Sequence, residues 1–361
     1  MSRLVILTIC SLILALIIFF KKKDKARTVA AGKGLVIKKE WLKINPTPIT
    51  PKEEIRPADQ TFLTFPEWYL VFSPEEQAEY FKTRTSTSFP YASHIRQLWD
   101  SYKIVKDQIK GNFPTNTGYH FMIWVIATST TVEYGAKSIY ETLIGRLTDT
   151  QDVITEEDKF NAAFAKRYVD FIKDRPWYEF NFKNEMKVLW GNVPFFGKRF
   201  VRKFERRYAL TTELLVKYVY GKLIGLGTQT VYDVALPTTA VVVDKLPKDS
   251  LKENIIKESV EGGVIVKLPR YDKFSTAALT LAKQGISFKE IAGNNSAILI
   301  TFLTPAEKSI EYRNVQVVFT QPISSNMAVK RIAIALPVAQ LSSLLLQLEK
   351  DQIQVEHIFD F

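Results

Sequence analysis

Four side chains in the first half of the chain could carry acid–base chemistry: Glu67, His94, His120 and Glu133. Carboxylates and imidazoles are common general acids and bases, and burial near other charges moves their pKa values toward neutrality. If the fold gathers the four into one pocket of a helical domain, we expect an enzyme acting near a membrane, for example a hydrolase.

Two of these carboxylates also have non-catalytic interpretations. Glu67 follows Thr64 in a T-x-x-E pattern, the capping box that stabilises the first turn of a helix. Glu133, Lys137 and Glu141 are spaced by four residues, as in ordinary ion pairs on a helix surface. These interpretations favour a protein without catalytic activity.

The histidines do not have the spacing of metal ligands. His94, His120 and His357 lie far apart, and no H-E-x-x-H pattern is present. His357 lies on the apolar face of a predicted strand, which is typical of a core histidine. The chain also has no phosphate-binding glycine loop, no G-x-S-x-G motif and a single cysteine, Cys10. We therefore predict no metal and no cofactor.

The fold of the whole chain must position those candidate residues. The chain begins with an apolar run, Leu4 to Phe20. Its seventeen residues are close to the minimum length for a membrane-spanning helix. No small-residue cleavage site follows, so an uncleaved anchor over residues 1–27 is favoured over a secretory signal. Five cations follow directly and are predicted to contact the anionic lipid surface: Lys21, Lys22, Lys23, Lys25 and Arg27.

Charge gives the predicted orientation and excludes one class of partner. The cations after the apolar run favour a single-pass protein of a bacterial inner membrane with its body in the cytoplasm; a periplasmic body is the alternative. The net charge of +11 is concentrated near this run, where residues 1–60 carry +7, whereas residues 226–361 carry zero. A nucleic-acid-binding module would concentrate cations on a folded domain, so nucleic acid is not expected as a partner.

Three segments follow the predicted anchor. Residues 28–60 contain recurring prolines without a hydrophobic period and are predicted to be a linker. Residues 61–225 are rich in aromatics at helical spacing and predict a mainly helical domain; one helix is predicted to begin at the acidic stretch Thr155 to Asp158, before Phe160.

Residues 226–361 alternate short β-branched runs with two amphipathic helices. The first of these helices has Phe274, Ala277, Ala278 and Leu281 on one face, and the continuous apolar run Ile332 to Leu336 predicts a central strand. This segment predicts an antiparallel α+β sandwich of ferredoxin-like type with extra strands, including a hairpin of Ile286–Ile291 with Ala297–Leu303.

One predicted helix combines an aromatic stripe with a dense cationic surface. The stripe consists of Phe196, Phe200, Phe204 and Tyr208, spaced by four residues. The remaining surface holds Lys198, Arg199, Arg202, Lys203, Arg206 and Arg207. The favoured interpretation packs the stripe on the domain and exposes the cations, because docked helices show this pattern. The alternative is a helix lying in a membrane interface, with Phe200 and Phe204 in contact with lipid.

The segments "TFLTFPEWYLVFSPEEQAEYF" and "LPRYDKFSTAALTLAKQGISFKEIAGNN" resemble a group of uncharacterised bacterial membrane-anchored proteins. The resemblance implies a bacterial membrane protein and no known activity. From the residues, the fold class is α+β: a transmembrane anchor, a mainly helical domain and a ferredoxin-like sandwich. The leading functional hypothesis is a membrane-tethered, non-catalytic protein that contacts the lipid bilayer and binds a protein partner or a small effector.

Overall fold

The computed structural model of the protein describes residues 37–43, 47–150, 153–228, 237–247 and 257–359. The predicted anchor Leu4–Phe20 and its flank of Lys21, Lys22, Lys23, Lys25 and Arg27 lie outside these residues. Within the described ranges, no helix is long and apolar enough to cross a membrane. For this part of the chain the predicted membrane-spanning fold class is therefore wrong.

The first part of the described chain is helical. Its helices are α1 Gln60–Glu67, α2 Tyr69–Tyr80, α3 Tyr91–Ile109, α4 Thr117–Tyr140, α5 Glu156–Ile172, α6 Phe182–Gly191 and α7 Phe200–Thr228. Local polar side chains set several starts, because the first N–H groups of a helix have no partner within it. Asn116 accepts from the N–H of Tyr119 at the start of α4, and Thr155 forms a capping box with Asp158 at the start of α5.

The second part forms two four-stranded antiparallel sheets. The elements are β1 Thr238–Val243, β2 Lys257–Val260, β3 Gly263–Pro269, α8 Asp272–Lys283, β4 Phe288–Ile291, β5 Ala297–Pro305, β6 Gln316–Pro322, β7 Val329–Pro337, α9 Leu341–Lys350 and β8 Val355–Ile358. The strand orders are β2-β3-β1-β4 and β6-β7-β5-β8. One apolar core cluster contains residues from both sheets and from both helices, so the sheets and α8 and α9 stabilise each other.

The two sheets are structural repeats of one strand–strand–strand–helix–strand unit. Each helix is followed by a residue with positive φ, Gly285 (68°) after α8 and Gln352 (56°) after α9. Each last strand has an irregular register against the first strand of its unit, and the corresponding pairs are Val242–Glu290 and Thr301–His357. Glu290 and His357 therefore occupy equivalent positions in the two units.

This arrangement corrects the predicted single ferredoxin-like sandwich. The predicted hairpin of Ile286–Ile291 with Ala297–Leu303 does not form, because β4 pairs with β1 and β5 pairs with β7 and β8. The turn after β4 instead leads from the first repeat into the second. The strand prediction for Ile332 to Leu336 is confirmed, since β7 lies inside its sheet between β6 and β5.

The outer faces of the two sheets are covered by the earlier part of the chain. On the first sheet, the Glu290 carboxylate accepts hydrogen bonds from the backbone N–H groups of Ile49 (2.9 Å) and Thr50 (2.9 Å). On the second sheet, the ring of Phe65 in α1 lies 4.8 Å from Phe319 and 5.6 Å from Phe359, centroid to centroid. The helical part and the second sheet therefore share one core.

Candidate functional site

The structure does not bring Glu67, His94, His120 and Glu133 into one pocket. Glu67 ends α1 and accepts a hydrogen bond from the Tyr119 hydroxyl. Burial raises the pKa of Glu67, although this hydrogen bond and the charge of Arg270 oppose the shift. The predicted capping box is wrong, because Thr64 lies inside α1 and bonds back to the Gln60 carbonyl (2.7 Å).

The two helical histidines have separate partners. His120 in α4 pairs its Nδ1 with the Tyr102 hydroxyl at 3.0 Å, and burial lowers its pKa. His94 in α3 lies between the Ser73 hydroxyl (3.1 Å from Nδ1) and the Glu76 carboxylate (3.3 Å from Nε2). A hydroxyl, an imidazole and a carboxylate are the groups of a nucleophilic triad.

The Ser73–His94–Glu76 group is nevertheless enclosed. Ser73 is 2% and His94 1% exposed, so a substrate has no path to the hydroxyl in this conformation. Glu76 also faces Arg331 of β7 (3.4 Å), and Arg331 forms a bidentate pair with Glu356 of β8 (2.7 Å for each bond). The group therefore joins two helices to the second sheet, and catalysis is not its evident role.

Glu133 lies apart from the other three candidate residues, between α4 and α7. Its carboxylate lies 2.9 Å from the ammonium groups of both Lys137 and Lys217. Burial opposes ionisation of Glu133, but the charges of the two lysines outweigh it and lower its pKa to about 2. Each of the four candidates therefore has its own partners, and this scatter weighs against the enzyme hypothesis.

Helix α7 is inverted relative to the favoured prediction. Its aromatic side chains face outward, with Phe204 56% and Tyr208 59% exposed, and Phe196 just before the helix is 81% exposed. Its cations face inward, and Arg202 and Arg206 are each 2% exposed. The prediction that the stripe packs on the domain while the cations cover its surface is therefore wrong.

Arg206 is the centre of the buried charge network. Its guanidinium donates two hydrogen bonds to Glu141 (2.7 and 3.1 Å), and its Nε donates to Glu205 (2.7 Å). Glu141 begins a π-helical turn, Glu141–Gly145, that follows α4 and aims this carboxylate at α7. Burial opposes ionisation of Glu205, but the hydrogen bonds and charge of Arg206 outweigh it and lower the pKa of Glu205.

The remaining inward cations of α7 reach other elements. Arg202 contacts Asp149 and Asp158, each at 3.4 Å, and Arg207 donates to Glu157 at 2.7 Å. The inward face thus meets five carboxylates, namely Glu141, Asp149, Glu157, Asp158 and Glu205. Buried charges are costly unless they are paired, so these carboxylates determine which side of α7 is inside.

Aromatic residues of α6, of the segment that follows it and of the outward side of α7 form a surface that we call the aromatic face: Trp190, Phe195, Phe196, Phe200, Phe204 and Tyr208. Its rings support each other. Phe196 and Phe200 are nearly parallel (8°) with centroids 6.2 Å apart, and Phe195 lies 5.2 Å from each of them edge-on. Five of the six side chains are exposed. At about 200 Å² per full ring, those five expose on the order of 600 Å² of side-chain surface.

Exposed apolar residues are concentrated in this part of the molecule. Of the 25 large apolar side chains that are exposed among the described residues, 20 lie between positions 121 and 223. From Phe196 to Gly225 the exposed charged side chains are Lys198 and Lys222, both cations. The acidic residues of this stretch, Glu205 and Glu213, face inward and bind arginine or lysine. Apolar patches of this size on monomers are commonly binding sites.

The sequence does not predict which carboxylates bind the buried cations of α7, because the spacing of charges along one helix indicates only pairs within that helix. Of the ion pairs predicted along α4, Glu133–Lys137 forms at 2.9 Å. Glu133, Lys137 and Glu141 each also bind a side chain of α7, which the sequence does not predict. A usable signal is the matching helical spacing of opposite charges in two segments: positions 133, 137 and 141 at intervals of four, and positions 206, 213 and 217 at intervals of seven and four.

Comparison with known proteins adds no relative: no family model, curated protein or solved structure matches the chain.

Proposed function

We propose that this protein is a non-catalytic binding protein that docks a partner protein on the aromatic face. The observation that carries the proposal is the orientation of α7, whose aromatic rings face outward while its arginines are buried. The occupant we propose is an amphipathic helix of the partner, with an apolar stripe bordered by carboxylates.

The rigidity of the face supports a protein partner. Interface hot spots are enriched in aromatic residues that are held in place and surrounded by contacts that exclude water. Here Phe195, Phe196 and Phe200 fix one another, and Arg207 lies 4.7 Å from the ring centroid of Phe195 on the inward side. Such a preorganised surface loses little side-chain entropy on binding.

Charge supports an acidic border on the partner. Exposed cations lie at both ends of α7, at Lys198 and Lys222, and Arg146 is exposed beside Leu143 and Leu147 after α4. A partner helix with carboxylates beside its apolar stripe would complement these cations. A second copy of the chain would place like charges together, so it fits the face less well.

The test uses two synthetic helical peptides of about 20 residues with the same leucine stripe. One peptide has glutamates and the other has lysines along the border of the stripe. We expect the full-length protein to bind the glutamate peptide about tenfold more tightly than the lysine peptide, measured by fluorescence anisotropy. Phe200→Ser with Phe204→Ser should weaken binding of the glutamate peptide by about tenfold or more.

Leu346→Ser is the matched control, because Leu346 is a comparably exposed apolar residue on α9, away from the aromatic face. It should leave peptide binding unchanged. Equal binding of the two peptides, or no effect of the phenylalanine substitutions in a folded protein, would contradict the proposal. Binding to anionic vesicles that requires Phe200 and Phe204, with no peptide binding, would assign the face to lipid instead.

A further inference from the structure

A small cavity with a mixed polar and apolar wall lies between α2, α4, α5 and the inward side of α7. Its volume is about 50 Å³, and its wall includes Glu133, Lys137, Glu213, Lys217, Asn161 and Tyr168. A water molecule needs roughly 10–15 Å³ of such space, so the cavity has room for about three to five small non-hydrogen atoms.

The cavity wall is charged but balanced. Lys137 bridges Glu133 (2.9 Å) and Glu213 (2.8 Å), and Lys217 binds Glu133 (2.9 Å). Burial disfavours charge on Lys137, but the two carboxylates outweigh it and raise its pKa. Two ammonium groups and two carboxylates give no net charge, which disfavours a ligand with a net charge and suits a polar ligand without one.

Several polar groups of the cavity wall have hydrogen-bond donors or acceptors that are still available to a ligand. Asn161 is nine-tenths buried, and its amide makes no hydrogen bond to the described residues. Lys217 uses two of its three N–H donors, both on Glu133. Glu213 receives Lys137 on Oε1, which leaves Oε2 as an acceptor. The Asn161 amide therefore offers both a donor and an acceptor to a molecule bound in the cavity.

We propose that this cavity binds a small zwitterion of the size of glycine. The ligand carboxylate would meet Lys217, its ammonium group would meet Glu213, and the Asn161 amide would bond to both ends. Lys217 and Glu213 are four residues apart on α7, so their side chains lie side by side on one helix face. The site is separate from the aromatic face, which lies on the opposite side of α7.

The experiment is isothermal titration of the full-length protein with glycine. We expect a dissociation constant in the millimolar range or tighter and a glycine-dependent rise in melting temperature. Acetate and methylammonium each carry one of the two charged groups of glycine. Each should bind at least about tenfold more weakly than glycine. Asn161→Leu should weaken glycine binding by about tenfold while keeping the fold, because it replaces the amide with an apolar group of similar size.

Lys222→Met, on the same helix but outside the cavity, is the matched control and should bind glycine like the unmodified protein. Absence of glycine binding at about 20 mM to a folded protein would overturn the proposal. Equal binding of acetate and glycine would also overturn it, by showing a simple carboxylate site. Unchanged glycine binding by Asn161→Leu would place the ligand elsewhere. None of these outcomes depends on a partner at the aromatic face.

Discussion

Arg206→Met lowers the free energy of unfolding by about 3–5 kcal/mol, the expected cost of removing one partner from a buried ion pair. The methionine keeps much of the side-chain volume, so the loss comes from charge and hydrogen bonding. Glu141 and Glu205 would remain buried on either side of position 206 without the guanidinium that binds them both. The measurement is urea unfolding followed by circular dichroism, which gives the free energy and its denaturant dependence.

Lys198→Met is the matched control for this substitution. It removes a cation that is exposed just before the same helix, and surface substitutions of this kind change stability by about 0.5 kcal/mol or less. If Arg206→Met and Lys198→Met unfolded at the same urea concentration, Arg206 would be solvated and the inward orientation of the cations would be wrong.

Acidification from pH 6.5 to pH 5 lowers stability by about 2 kcal/mol through His357. Burial among aromatic rings, with a smaller contribution from the positive charge of Lys173, lowers the pKa of His357 to about 3. Its ring stacks on Trp68 at 3.8 Å between centroids. The unfolded chain takes up a proton near pH 6.5, whereas the folded protein does not until about pH 3. The stabilisation is therefore complete above pH 6.5 and is lost as the pH falls.

His357→Phe should remove this part of the pH dependence, because phenylalanine keeps an aromatic ring against Trp68 and cannot take up a proton. The measurement is the free energy of unfolding in urea at pH 7, 6 and 5. His120→Gln is the control and should retain most of the slope, since His120 is only partly buried. An identical slope in the protein and in His357→Phe would show that folding does not shift the pKa of His357, as for a solvated imidazole.

Local sequence patterns predict several elements correctly, because the apolar residues of these elements are buried in the fold as their spacing indicates. The predicted face of α8 is buried as expected, with Phe274, Ala278 and Leu281 each at 0% exposure. The continuous apolar run of β7 correctly indicated a strand inside a sheet, since both of its faces are covered. The acidic start before Phe160 likewise marked the beginning of α5.

The repeat was not predicted because its two copies share an order of elements and few residue types. Glu290 and His357 are equivalent in position, yet one binds backbone N–H groups and the other stacks on an indole ring. Pairing of β4 and β5 as a hairpin looked correct locally, since a glycine–asparagine turn joins them. Instead, β4 pairs with β1 and β5 pairs with β7, each within its own repeat unit. These pairings join strands that are distant in sequence, so local pattern does not predict them.

Local sequence patterns also do not predict the orientation of α7. Periodicity assigns residues to the same side of a helix, but it does not say which side is inside. The decision depends on carboxylates from other elements, such as Glu141 of the π-helical turn and Asp158 of α5, which lie 65 and 44 positions from their arginines. Lys137 and Glu213 are 76 positions apart, so local pattern does not link them to one cavity either.

The orientation of α7 can be measured directly with single cysteines in a Cys10→Ser background, which removes the only native thiol. Phe204→Cys and Tyr208→Cys would report on the outward side, and Lys203→Cys and Leu214→Cys on the inward side. The structure predicts that a water-soluble maleimide modifies the first two at least about tenfold faster under native conditions. Rapid modification at position 203 together with protection at 204 and 208 would contradict the account.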